Sequence, residues 1–122
     1  MAAAPVDRAH LERLATRFGT HFLIQLIDLF IAQGRERMQA AEKGVAAADI
    51  SAIISAAHAL KSSAGNLGAG SLAQCAGDIE RRGTSGASLE TLVPMVAALN
   101  DAFVAACTAL EVARGEVERR TA

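Results

Sequence analysis

The chain has no tryptophan and no tyrosine, and only four phenylalanines among 122 residues. Aromatic platforms for stacking on bases or sugars are therefore missing. Proline is nearly absent, with only Pro5 and Pro94. Two cysteines, Cys75 and Cys107, are too few for a disulfide scaffold. Neither sign of charge dominates: 12 Lys+Arg stand against 13 Asp+Glu, a formal net charge of −1. Nucleic-acid binders usually carry a clear basic excess, so nucleic acid is not expected as a partner. The most apolar stretch, residues 21–32, is cut by Gln25 and Asp28 and is too short to span a bilayer. Residues 1–8 contain no long apolar segment of the kind a secretory leader needs. These absences lead to an expectation of a cytoplasmic protein with reduced thiols and no membrane partner.

What is present can build a core. Hydrophobic residues make up 52% of the chain, and the mean hydropathy is +0.27. The length suits one domain spanning residues 1–122. Abundant alanine and leucine, scarce proline and the lack of alternating strand-like stretches favour an all-α fold.

The periodicity predicts a short first helix over about residues 8–18, with Asp7 as N-cap and Gly19 as a left-handed C-terminal cap. A second helix is expected from Thr20, as N-cap, to about Lys43, ended by Gly44. Its stripe is Phe22, Leu23, Leu26, Ile27, Phe30, Ile31, Met38 and Ala41. Asp49 caps a third helix whose seam is Ile50, Ile53, Ala57, Leu60, Ala64 and Leu67. After a turn at residues 68–70, Ser71 is the expected cap of a fourth helix that Gly83 closes, followed by a loop over residues 83–88. The last helix carries Leu92, Val96, Leu99, Phe103, Ala106, Cys107, Leu110 and Val117; it either begins near Pro94 or has an irregular first turn. Short connections between long amphipathic helices make antiparallel neighbours. The expected architecture is an antiparallel four-helix bundle with an additional short N-terminal helix. Its core lies over about residues 7–112, with residues 113–122 a helix extension or tail.

The third helix carries the unusual residues. His58, Lys61, Ser62 and Gly65 stand at i, i+3, i+4 and i+7, so they share one face. At about 100° per residue that face lies about 120° from the mean direction of the seam, which puts His58 outside the core. Gly65 weakens a helix by about 1 kcal/mol, and Ser62 and Ser63 are poor helix formers. Giving up helix stability beside an exposed histidine suggests that something approaches closely. An unperturbed imidazole titrates near pH 6.5 (about) and is mostly neutral, hence nucleophilic, at cytoplasmic pH. A lysine one turn away can screen an incoming dianion.

The run from His58 to Ala69, HALKSSAGNLGA, resembles the signature of histidine-containing phosphotransfer (HPt) domains, and all twelve positions fit without a gap. The pattern is a histidine, leucine two on, lysine three on, a small residue four on, then small residues and Leu-Gly. The segments at residues 18–23 and 46–49 also resemble the start of the family's second helix and its alanine-rich turn before the histidine helix. The resemblance implies that His58 is the phosphoacceptor and that Lys61 pairs electrostatically with the phosphoryl group. Ser62, where many members have glycine, and Gly65 would keep the approach open. It further implies a Gln or Glu on the following helix that holds the other imidazole nitrogen. Counting outward from a turn near Ala69 brings Glu80 level with His58, with Asp78 and Gln74 as competitors.

On this reading the protein relays a phosphoryl group between receiver-domain aspartates of response regulators and of a hybrid histidine kinase. It is a stoichiometric carrier without autokinase activity or a cofactor of its own, and the magnesium used in transfer belongs to the receiver. The alternative is a helical adaptor that binds response regulators without being phosphorylated. Receivers are expected to dock around His58, on Ile54, Ser55 and neighbouring small residues. The second helix has more apolar residues than one stripe needs (Leu23, Ile27 and Leu29 beside Phe22, Leu26 and Phe30), and some of these should stay partly exposed there unless Leu11 and Leu14 of the first helix cover them all. His10 and His21 read as surface residues, no metal site is expected, both cysteines read as buried thiols, and a monomer is expected because the stripes bury one another.

Overall fold

The computed structural model describes residues 4–121, and these form five helices and no strand. They are α1 (Arg8–Phe18), α2 (Thr20–Ala46), α3 (Ile50–Asn66), α4 (Gly70–Thr84) and α5 (Leu89–Thr121). α3 packs between α2 and α4, α5 closes the ring against the same two helices, and α1 lies on α2. The result is the expected four-helix bundle with a short helix added at its start. Its interior is built from the expected stripes: Leu23, Ile27, Ile53, Leu60, Leu67, Leu72, Ile79, Leu92, Leu99 and Leu110 are all essentially inaccessible to water.

The caps at Asp7 and Asp49 form as expected. Each carboxylate accepts a hydrogen bond from the backbone N–H three residues on, that of His10 and Ala52 respectively. Ser88 does the same for Thr91 at the start of α5. That cap sets the helix start at Leu89, so Pro94 stands in the second turn and neither expectation for it holds. Four further boundaries differ. Thr20 is the first residue of α2, and Gly19, at φ +98°, is its N-cap. Ser71 lies inside α4, which begins at Gly70. Gly44 and Gly83 do not terminate helices: α2 runs on to Ala46 and α4 to Thr84.

Those two glycines mark close crossings. A Cβ at Gly44 would stand 2.9 Å from a side-chain carbon of Ile53, and one at Gly83 would stand 2.6 Å from Ile54. Gly34, in the gap of the α2 stripe between Ile31 and Met38, is buried against the ring of Phe103. Apart from Ala48 (φ +53°) before α3, the positive-φ positions are taken by glycine, as at Gly68 (φ +70°) in the α3–α4 turn. That turn is also tied to the N-terminal segment. Asp7 donates its N–H to the Gly68 carbonyl, and the His10 ring donates from Nε2 to the Asn66 carbonyl. His10 is thus a fastening between α1 and the hairpin rather than a free surface residue. α5 extends to the end of the described residues, and its Ala113 and Val117 are buried, as is Val6 ahead of α1, so the core reaches past the expected bounds of 7–112 at both ends. By length and composition alone its span Leu89–Arg120 would suffice to cross a membrane, but one face of it is core of the bundle.

Candidate functional site

His58 sits in the middle of α3, on the side turned from the core, with its side chain 61% exposed. The tight turn at residues 67–69 sends α4 back alongside α3, and this brings Glu80 level with it. Glu80 Oε2 contacts His58 Nδ1, and Lys61 Nζ donates to the other oxygen, Oε1, at 2.5 Å. A carboxylate can only accept, so the hydrogen of the neutral ring belongs on Nδ1. Nε2 then carries the lone pair on the exposed ring.

The glutamate is the least exposed member of the three, at 23% of its side chain against 42% for Lys61. Its carboxyl is held below the ordinary value of 4.5, first of all by the Lys61 hydrogen bond; burial pushes the other way, and the His58 hydrogen bond and the nearby charges add to the lowering. It is therefore an anion at neutral pH. Of its competitors, Asp78 forms an ion pair with Arg81 on its own helix, and Gln74 is exposed. The Lys61 ammonium lies on Glu80, which sequence reading did not foresee; the ion pair is invisible without the hairpin register.

Ser51, Ser55, Ser62 and Gly65 are all exposed around His58, and a Cβ built on Gly65 would meet nothing within 4 Å. The face beside the histidine is therefore bare. Ile54 is different: it is half-buried and wedged against Gly83 of α4, so it belongs to the α3–α4 packing more than to an open surface. On the other flank, α2 divides its apolar residues sharply. Leu23, Ile27 and Phe30 are buried, whereas Phe22 and Leu29 are 41% and 51% exposed, the partial exposure expected of some of these residues. Leu11 of α1 is buried, but α1 does not cover this edge. Phe18 is itself 53% exposed and stacks on Phe22 with ring centroids 5.1 Å apart. Leu26, Leu29 and Phe30 line a groove of about 120 Å³ with Gln33 on α2 and with Ser63, Asn66 and Leu67 on the α3 side.

The remaining reactive groups lie elsewhere. Burial pushes the Cys107 thiol up to about 11 and also raises that of Cys75, so both stay protonated. Cys75 is only half-buried, less than its expected inner-face position implied. Among the described residues, no group of three or more His, Cys, Asp and Glu side chains could hold a metal ion.

A helical bundle that presents a histidine on its third helix, with Glu80 on the Nδ1 side, has the arrangement of a histidine phosphotransfer domain. The family model of the Hpt domain matches residues 25–113, and the chain belongs to that family. It is accordingly a phosphotransfer protein of phosphorelays, a phosphocarrier rather than a classical enzyme. Among solved structures it is similar to histidine-containing phosphotransfer protein B (HptB) from Pseudomonas aeruginosa PAO1. The two share 21% sequence identity and a TM-score of 0.83, over 94% of this chain and 98% of that one. No curated protein sequence matches the chain.

Proposed function

We propose that His58 is the residue that carries the phosphoryl group, receiving it from an aspartyl phosphate of one receiver domain and passing it to another. The observation that carries this reading is the Glu80 contact, which occupies Nδ1 and leaves Nε2 as the free nucleophilic nitrogen of an exposed ring. In the forward step the Nε2 lone pair attacks phosphorus. An N–P bond forms, the bond from phosphorus to the aspartyl oxygen breaks, and the aspartate leaves as a carboxylate. No proton has to move. The positive charge that develops on the ring is met by Glu80 through the Nδ1–H it already accepts. Lys61 neutralises Glu80, so the incoming dianion does not face an uncompensated carboxylate. Magnesium is held by the receiver partner, and the carrier needs no nucleotide because the phosphoryl group arrives already activated as a mixed anhydride.

The receiver docks on the bare face of α3 and the exposed edge of α2. Phe18, Phe22 and Leu29, with the groove beside Ser63 and Asn66, form an apolar strip with a polar rim, a combination common at protein contacts. A relay must exchange partners quickly, so the affinity should be modest, on the order of micromolar.

The test is transfer from a phosphorylated receiver to the purified protein, with peptide mapping of the label. His58→Gln should fold and bind the receiver yet accept no phosphate. Titration of the receiver should move amides over residues 51–65 and on α2. Label on His10 or His21 would overturn the assignment. Amide shifts confined to residues 83–88 would overturn the docking surface. Binding without any phosphate uptake by the unaltered protein would make it an adaptor.

A further inference from the structure

Of the glycines inside helices, Gly34, Gly44 and Gly83 meet apolar side chains of neighbouring elements, Gly65 and Gly70 meet nothing, and Gly115 meets only the Arg119 guanidinium of its own helix. Gly77 differs from all of them. It stands in α4 one turn before Glu80, at a position where glycine weakens the helix. A Cβ there would lie 3.3 Å from Cδ and 4.0 Å from Cγ of Lys61. The stem of Lys61 therefore crosses the bare backbone of α4 at Gly77, and this path brings Nζ to 2.5 Å from Glu80 Oε1. The other oxygen of the same carboxylate receives His58 Nδ1. The three contacts form a chain, from the missing side chain at 77 to the lysine, from the lysine to the glutamate, and from the glutamate to the ring. Asp78 and Arg81, the neighbouring charges on α4, are paired with each other and do not compete for Lys61.

We propose that Gly77 is a positioning residue of the phosphoacceptor site: its lack of a side chain lets Lys61 lie across α4 and pin Glu80, which fixes the Nδ1–H form of the His58 ring. This rests on the reading of His58 as the phosphoacceptor only for its consequence in transfer; the effect on the ring stands independently. A side chain at 77 lifts the lysine stem, Nζ withdraws from Oε1, and Glu80 loses the anchor that holds its rotamer against His58. The ring then relaxes toward the Nε2–H form, in which the attacking nitrogen is blocked by its own hydrogen.

The experiment uses the full chain with ¹⁵N-labelled histidine and long-range ¹H–¹⁵N correlation at a pH where the ring is neutral. It is run on the unaltered protein, Gly77→Ala, Gly77→Leu, Lys61→Met and the Gly77→Leu/Lys61→Met double variant. The unaltered protein should show His58 with hydrogen on Nδ1. Gly77→Leu should move the ring signals toward the Nε2–H form and slow phosphate uptake from phosphoramidate roughly tenfold, the scale of one lost charged hydrogen bond. Thermal melting should be equal to or above that of the unaltered protein, since leucine is the better helix former. Lys61→Met should give the same ring signature, and the double variant should add nothing to it. Gly77→Ala should shift the ring less in the same direction, which keeps the test decisive if the leucine variant does not fold. Unchanged ring signals in both Gly77 variants, or an effect of Gly77→Leu that persists undiminished in the Lys61→Met background, would overturn the proposal. If the ring responds as expected but the unaltered protein takes up no phosphate, Gly77 keeps its role and the phosphoacceptor reading fails.

Discussion

Gly65 offers a clean separation of stability from partner access. It lies two turns from His58 on the same exposed face, at the second-to-last position of α3. Its φ is not in the left-handed region, and a Cβ there would meet nothing within 4 Å. Alanine should therefore stabilise the helix, by about 0.5–1 kcal/mol, the full propensity difference being tempered near a helix end. For a chain of 122 residues, an unfolding entropy of about 2.1 cal/mol/K per residue turns that into a rise in Tm of about 2–4 °C. Glutamine has nearly the same propensity as alanine, so Gly65→Gln should melt at a similar temperature. Its side chain, however, projects over the ground that a docking receiver must cover. An overpacked contact costs about 1–3 kcal/mol, which lowers receiver-to-His58 transfer roughly ten- to a hundredfold. A small phosphodonor needs no such surface, so uptake from phosphoramidate should be unchanged. The assay pairs the two donors on the same protein, with melting as the control for folding. Equal transfer from the receiver in Gly65→Gln and the unaltered protein would refute the steric argument. An equal fall with both donors would show instead that the substitution disturbs the His58 ring itself.

Two further expectations concern stability. Gly34→Ala should be destabilising despite the better helix former: its Cβ would enter the envelope of Phe103 Cε1 and stand 2.8 Å from Cζ, and overpacking of about 1–3 kcal/mol exceeds the propensity gain of about 1 kcal/mol. A urea midpoint above that of the unaltered protein would contradict this. Acid should also destabilise in a defined window. Glu12, Asp28 and Glu80 are held below their ordinary values of 4.5, 3.8 and 4.5, chiefly by hydrogen bonds from Arg120, Arg114 and Lys61. Groups lowered in the folded state bind protons first when unfolded, so their contribution is full above the ordinary carboxylate range and is lost as pH falls through the lower folded values. The urea midpoint should be level from neutral pH to about 5 and fall below about 4.5; a midpoint that holds or rises down to pH 3 would count against it.

Much of this arrangement was legible in the sequence, for reasons that can be traced to single residues. The 3.6-residue stripes need only residue types to be read, and they suffice to place His58 outside the core. Glu80 was reachable by counting because a short turn makes an antiparallel hairpin nearly symmetrical about its centre. Other features depend on which helix lies alongside. Gly44 and Gly83 were read as terminators because a glycine at a close crossing and a glycine at a helix end look alike in one dimension. The same blindness hid Gly77 and the Lys61–Glu80 ion pair. On α2, Leu23 and Ile27 differ from Phe22 and Leu29 only by rotation about the axis, and the wheel alone does not say how wide a strip α3 and α5 jointly cover. His10 was read as an ordinary surface residue because its acceptor, the Asn66 carbonyl, is 56 positions away.

The attachment of α1 sets an order of unravelling within the molecule. Only Leu11 of that helix is buried, with Leu14 and Ala15 partly packed beside it and His10 fastened to the α3–α4 turn; its ties to α5, Arg8 with Glu116 and Glu12 with Arg120, are both pairs at the surface. Exposed pairs of this kind are weak and are screened by salt. The helix that carries Phe18 is thus a loosely latched flap over the bundle, whereas the hairpin bearing His58 and Glu80 is sewn through its centre. Amide exchange should open the flap first and the hairpin last, so the rim of the docking strip can breathe and reshape around successive receivers while the geometry at the histidine stays fixed.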